Sequence, residues 1–238
     1  EGYNVIFNGT TSSITNAVTF SNSGSVTFGN GTGDTTTFTG GVTATAPSQV
    51  NLAGTIQTTN TTMTLGDAGT PIVLTANTIL SGNTAGAITL GGTVNGAYSL
   101  TVNTTGNTTF TLAVGNTTAL TTLTTNTLGT TYINGGAITT TGASTYNDAV
   151  VLGANTTLTT TDSNITFSST VDGDGTARDL TIDMDNGVSA DGTVQFANTV
   201  GANNSLDAID ITGNLNLDAA ISNTTSLSVS GTSNLGAD

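Results

Sequence analysis

Short runs in which every second residue is apolar recur from one end of the chain to the other, each closed by Gly, Asn or Asp. Ser25-Val26-Thr27-Phe28, Ile88-Thr89-Leu90, Leu100-Thr101-Val102 and Leu180-Thr181-Ile182 are examples. A period of two sends successive side chains to opposite faces of an extended strand, and β-branched residues favour that backbone. No window of about 11 residues carries the 3.6-residue period of an amphipathic helix. Helix-favouring Ala, Leu, Glu and Lys are nowhere concentrated. The chain is expected to be nearly all β. Disorder is the competing reading for so repetitive a sequence, but it requires low hydrophobicity with high charge. Here mean hydropathy is +0.10, 35% of residues are hydrophobic and only 7% are charged.

Self-comparison reveals a longer repeat. At an offset of 82 residues, Ile6 falls on Ile88, Val18 on Leu100, Phe20 on Val102, Phe28 on Phe110, Phe38 on Leu120 and Ile56 on Ile138 without a gap. A third copy follows at an offset near 77, where Ile88 to Gly96 matches Ile165 to Gly173. The 238 residues read as one segment with copies at about 6–87, 88–164 and 165–238. Apolar positions and turn glycines are shared between copies, whereas the polar residues drift among Thr, Ser, Asn and Asp. That behaviour belongs to a repeat that packs a core and closes turns. Two architectures fit: tandem immunoglobulin-like β-sandwiches, or a parallel β-solenoid whose coils stack about 4.8 Å apart. Very short strands, small β-branched apolar residues and the absence of Trp favour the solenoid. So do the 58 Thr and 26 Asn, which can line up between coils. Coils of about 20 to 27 residues would give a rod of about nine to twelve turns.

Composition narrows the chemistry. Arg178 is the one basic residue against 15 acids, for a net charge of −14, and the chain has no His, Cys, Trp or Lys. A Ser-His-Asp triad, a thiol nucleophile, a zinc site and disulfides are excluded, as are a Schiff-base or phosphate-binding lysine. One cation cannot displace the counterions of a nucleic acid or hold an anionic membrane, and no apolar run approaches the 18 residues of a spanning helix.

The run from Gly135 to Gly173, GGAITTTGASTYNDAVVLGANTTLTTTDSNITFSSTVDG, contains the phrases Asn-Asp-Ala-Val-x-Leu-Gly and Ile-Thr-Phe-x-x-x-Val-Asp-Gly. It resembles the repeat regions of large secreted bacterial adhesins of the filamentous-haemagglutinin and autotransporter-passenger kind. The resemblance implies a right-handed β-helix exported to the cell surface. The family's secretion domain with its Asn-Pro-Asn turns, a C-terminal barrel and a signal peptide are not found in this sequence. It is therefore expected to be an interior slice of a longer adhesin.

Ten of the 15 acids lie between Asp162 and Asp218. With Leu180, Ile182 and Met184 inward, Asp179, Thr181, Asp183 and Asp185 share an outward face, where their repulsion would be relieved by a bound Ca²⁺. Asp172 and Asp174 in an Asp-Gly-Asp-Gly turn complete the candidate calcium ligands; the bland reading is a set of solvated acids around a tight turn. Asp183 and Asp185 are also a candidate glycosidase pair, without an aromatic sugar platform beside them. Tyr98, Tyr132 and Tyr146 are read either as a carbohydrate-stacking surface or as ordinary half-buried strand or turn residues. These features favour a non-enzymatic, cofactor-free extracellular rod for cell adhesion. Its expected partners are flanking repeats or neighbouring copies at the solenoid ends and a surface glycan or protein, with no nucleic acid and no membrane insertion. The alternative is a self-assembling subunit of a filament, sheath or surface layer.

Overall fold

The structure, a computed structural model, describes residues 2–185, 187–188 and 191–236. Every strand pairing between named elements is parallel, and no helix occurs among the described residues. The chain winds as a β-solenoid of about ten turns. Each turn crosses three faces. Face I begins with Val5–Phe7, face II with Thr11–Ile14 and face III with Val18–Thr19. Residues directly above one another are separated by as few as 18 positions (Leu215 to Ser233) and as many as 29 (Val171 to Val200).

The alternation in the sequence becomes columns. On face I, Val5, Val26, Val50, Ile72, Val94, Val114, Ile138, Leu158, Ile182, Ile211 and Val229 follow one another from coil to coil. From Val26 to Ile211 these side chains are buried. On face III the inward column starts Val18, Val42, Met63, Ile88 and ends Val150, Val171, Val200, Ile221. Aromatic rings fill the lumen where three faces meet. Phe7 and Phe28 of face I, Phe38 of face II and Phe20 at the end of face III form one cluster, with Phe28 and Phe38 centroids 5.0 Å apart. Further along, Tyr146, Phe167 and Phe196 stack face to face at 5.0 and 5.1 Å because their three strands pair in register.

Most strands are as short as expected, but two are not. Val50–Thr58 and Ile72–Ser81 run through the corner between faces I and II, which joins both faces into one 14-stranded sheet there. The register shifts between Leu52 and Gly54 absorb the corner. Gly54 sits at φ +73°, and a Cβ there would lie 2.3 Å from the carbonyl oxygen of Asp34, so only glycine fits. In the later coils face I separates into its own five-stranded sheet, and face III is an eight-stranded sheet throughout.

Threonine and asparagine divide the polar work. Outward on face II, Thr11, Thr35, Thr55, Ile79, Thr101, Thr124, Thr145 and Thr166 form a column, continued by Gln195, Asn216 and Asn234. Several side-chain bonds between coils are donated by amides: Asn51 donates to Thr27, Gln57 to Thr37 and Asn234 to Asn216. Asparagines at corners and strand ends also accept the backbone N–H of the next coil, as from Ser25 to Asn4, Ser99 to Asn77, Thr117 to Asn95 and Thr232 to Asn214. Buried corner threonines instead donate to turn carbonyls. Thr58 reaches Thr61 O at 2.7 Å, Thr104 reaches Gly86 O at 2.6 Å and Thr160 reaches Ser163 O at 2.6 Å. Most buried hydroxyls find such a partner, those of Thr108 and Tyr146 being exceptions, whereas an outward one has water.

The strand pairing continues without a break past residues 87 and 164. Met63 pairs with Ile88, and Tyr146 pairs with Phe167. An 82-residue step lands one face short of four turns: Phe28 lies inward on face I and its sequence counterpart Phe110 inward on face III. For Val18, Phe20, Phe28, Phe38 and Ile56 the long offset therefore conserves the inward sense while changing the face, whereas the outward Ile6 falls on the buried Ile88.

Candidate functional site

The acid-rich stretch occupies the longest coil, where the spacing rises to 29 residues. Leu180, Ile182 and Met184 are buried, as the alternation requires, and Thr181 and Asp183 point outward from the strand Arg178–Asp183. The five candidate calcium ligands have separate local partners. Asp172 lies on face III and is buried beneath the loop of the following coil. Its Oδ1 accepts the N–H groups of Asn203 at 3.0 Å and Asn204 at 3.3 Å, and its Oδ2 accepts Asn203 Nδ2 at 3.0 Å. Asp174 forms a two-pronged ion pair with Arg178, at 3.0 Å from Nε and 2.7 Å from the terminal nitrogen. That guanidinium, with the N–H of Thr176, holds the Asp174 carboxyl below the usual carboxylate range.

Asp179 on face I accepts Asn155 Nδ2 at 2.8 Å from the coil beneath and the N–H of Ala208 at 3.2 Å from the coil above. Asp183 accepts the N–H of Asp185 at 3.3 Å, and Asp185 in turn accepts that of Gly187. Both members of the candidate glycosidase pair are thus tied into the turn that ends their strand. Among the described residues, no group of three or more acidic side chains is close enough to hold a metal ion.

The three tyrosines do not share a surface. Tyr98 is exposed at the entry to face II, and Tyr132 is outward on face III between Thr109 and Val151. Tyr146 corrects the half-buried reading. It is fully buried, stacked on Phe167, and burial pushes its phenol well above the ordinary value.

A polar cluster inside the rod is what sequence reasoning missed. Thr108 and Thr131 interrupt the apolar inward column of face III, and Thr125 and Asp148 flank them at the corner with face II. Asp148 is 3% exposed. Its Oδ1 accepts the hydroxyls of Thr125 and Thr131, both at 2.8 Å, while Oδ2 has no hydrogen-bond partner. Burial pushes its pKa above the ordinary Asp value, and the two threonine bonds only partly oppose that. The signal was in the phrase Ser144-Thr145-Tyr146-Asn147-Asp148-Ala149-Val150. Strict alternation sends Ser144, Tyr146, Asp148 and Val150 inward together.

No family model, no curated protein sequence and no solved structure matches the chain. What the coordinates define is therefore a class, the parallel β-solenoid.

Proposed function

We propose that the chain is a non-enzymatic rod segment of an extracellular bacterial surface protein, holding neighbouring parts apart and taking part in adhesion. The observation that carries this reading is the set of inward columns running through about ten turns, with outward positions free to vary in polar character. Such a body resists bending because each coil is hydrogen-bonded to the next along three faces. The outward side of face II bears neutral Thr, Ser, Asn and Gln over most of its length, a surface suited to many weak contacts rather than one deep site. The resemblance to adhesin repeats supports the cell-surface setting. Beads coated with the chain and presented to cultured epithelial cells and a glycan array test the adhesive part. Retention above that of beads coated with an inert protein supports it, and equal retention contradicts it.

A second reading, self-assembly into a filament, rests on the outward column of face II, where like polar side chains such as Thr124, Thr145 and Thr166, then Asn216 and Asn234, line up from coil to coil. Columns of matched polar side chains can pair laterally between copies as they do between coils. Sedimentation velocity over a hundredfold concentration range separates the readings: growing polymers favour the filament, and one slow species favours the isolated rod.

A further inference from the structure

We propose that Asp148 is carried as a neutral carboxylic acid, a proton-dependent clasp that ties three successive coils together at the corner between faces II and III. Its Oδ1 already fastens the coil beneath through Thr125 and Thr131, both hydroxyls donating at 2.8 Å. The partnerless Oδ2 faces Gly129, a position without a side chain. A Cβ on Gly129 would lie 3.1 Å from Asp148 Oδ2, 3.1 Å from Thr104 O and 2.5 Å from Gly106 O. Two backbone carbonyls from two coils below thus converge on the same small space as the free carboxyl oxygen.

Oxygens of that kind repel a carboxylate and accept from a carboxylic acid. A proton on Oδ2 removes the repulsion and gives the carbonyls of Thr104 and Gly106, which border the same space, a donor. No positive charge is at hand to do the same. From the coils below, the residues that face Asp148 are Thr125, Thr131, Gly129, Thr104 and Gly106, none of them charged. On its own coil the nearest titratable side chain is Tyr146, a buried phenol held neutral. Arg178 is engaged with Asp174. A lone buried charge without a partner is costly, and taking up a proton removes the cost.

The sign of the pH effect follows. Below the ordinary Asp value both folded and unfolded chains are protonated at this site, and the clasp contributes fully. Above it the unfolded chain releases the proton first. Stability then falls with rising pH, by about tenfold in the folding constant per pH unit, until the folded carboxyl also ionises.

Denaturant unfolding from pH 4 to pH 9, with chelator and with added Ca²⁺, is the test, on the wild type and Asp148→Asn. The asparagine keeps the shape, the acceptor and a donor without a titrating proton. The expected result is a wild-type stability that declines with pH by more than that of Asp148→Asn, with the variant at least as stable at high pH. Equal pH slopes overturn the proposal, and so does a Ca²⁺-dependent gain that Asp148→Asn abolishes, which would assign the space to a cation. Carboxyl-carbon NMR of the aspartate-labelled wild type provides a reading independent of the variant's folding. One carboxyl titrating above the ordinary range is expected, and all of them titrating at or below it would overturn the proposal.

Discussion

At the scale of single residues, the inward or outward sense of a side chain decides what it is worth. Phe167 lies between the rings of Tyr146 and Phe196 with no access to solvent, so Phe167→Ala opens a cavity between two stacked partners. The expected loss is about 3–5 kcal/mol in denaturant unfolding. Thr145→Ala, on the outward column of face II one coil below, is expected to stay within about 0.5 kcal/mol. Gly54→Ala combines a left-handed backbone with a 2.3 Å clash against Asp34 O. It is expected to cost at least about 1–3 kcal/mol by the same assay. Much of this was legible: alternation alone placed Leu180, Ile182 and Met184 inside. Asp148 was equally readable by its phase, but a carboxylate among apolar neighbours is a poor guess from composition, and its threonine partners come from a different coil. The acids from Asp172 to Asp185 were grouped by sequence proximity, whereas pairing across coils gives Asp172 to Asn203 and Asp179 to Asn155.

At the scale of the elements, each strand is too short to persist alone and is held by the strands above and below. Asparagines at strand ends and corners extend this pairing beyond the strands. Asn95 accepts the N–H groups of Thr117 at 2.9 Å and Thr118 at 3.1 Å from the next coil. Asn95→Ala is expected to cost about 1–2 kcal/mol, because those two amides are returned to water or left unpaired. Hydrogen-exchange mass spectrometry of this variant should show faster exchange at residues 117 and 118 and their flanks, and an unchanged rate there would contradict the assignment. The existence and type of the strands were legible from period two. Their joining around a corner at Val50–Thr58 and Ile72–Ser81 was not, because the kink depends on the backbone of Gly54 and the opposing Asp34 turn. The 82-residue repeat was a true regularity of inward positions, yet only pairing across the molecule reveals that it changes face.

At the scale of the whole molecule, stacking of similar coils is the claim on which the rest depends, since a rod, a repetitive surface and a clasp spanning three coils all presuppose it. About ten turns at a rise of about 4.8 Å give a body on the order of 50 Å long. The chain has no cysteine, so spin labels can be placed pairwise at introduced cysteines without a background. Thr35 is the reference point on the outward column of face II, with Thr145, Thr166 and Asn216 respectively five, six and eight pairings further along it. Pulsed electron double resonance between Thr35→Cys and each of Thr145→Cys, Thr166→Cys and Asn216→Cys measures the rise directly. Backbone separations of about 24, 29 and 38 Å are predicted, growing by about 4.8 Å per coil. Separations that fail to increase in that order, or that scatter broadly as between hinged globules, would contradict the stacked solenoid.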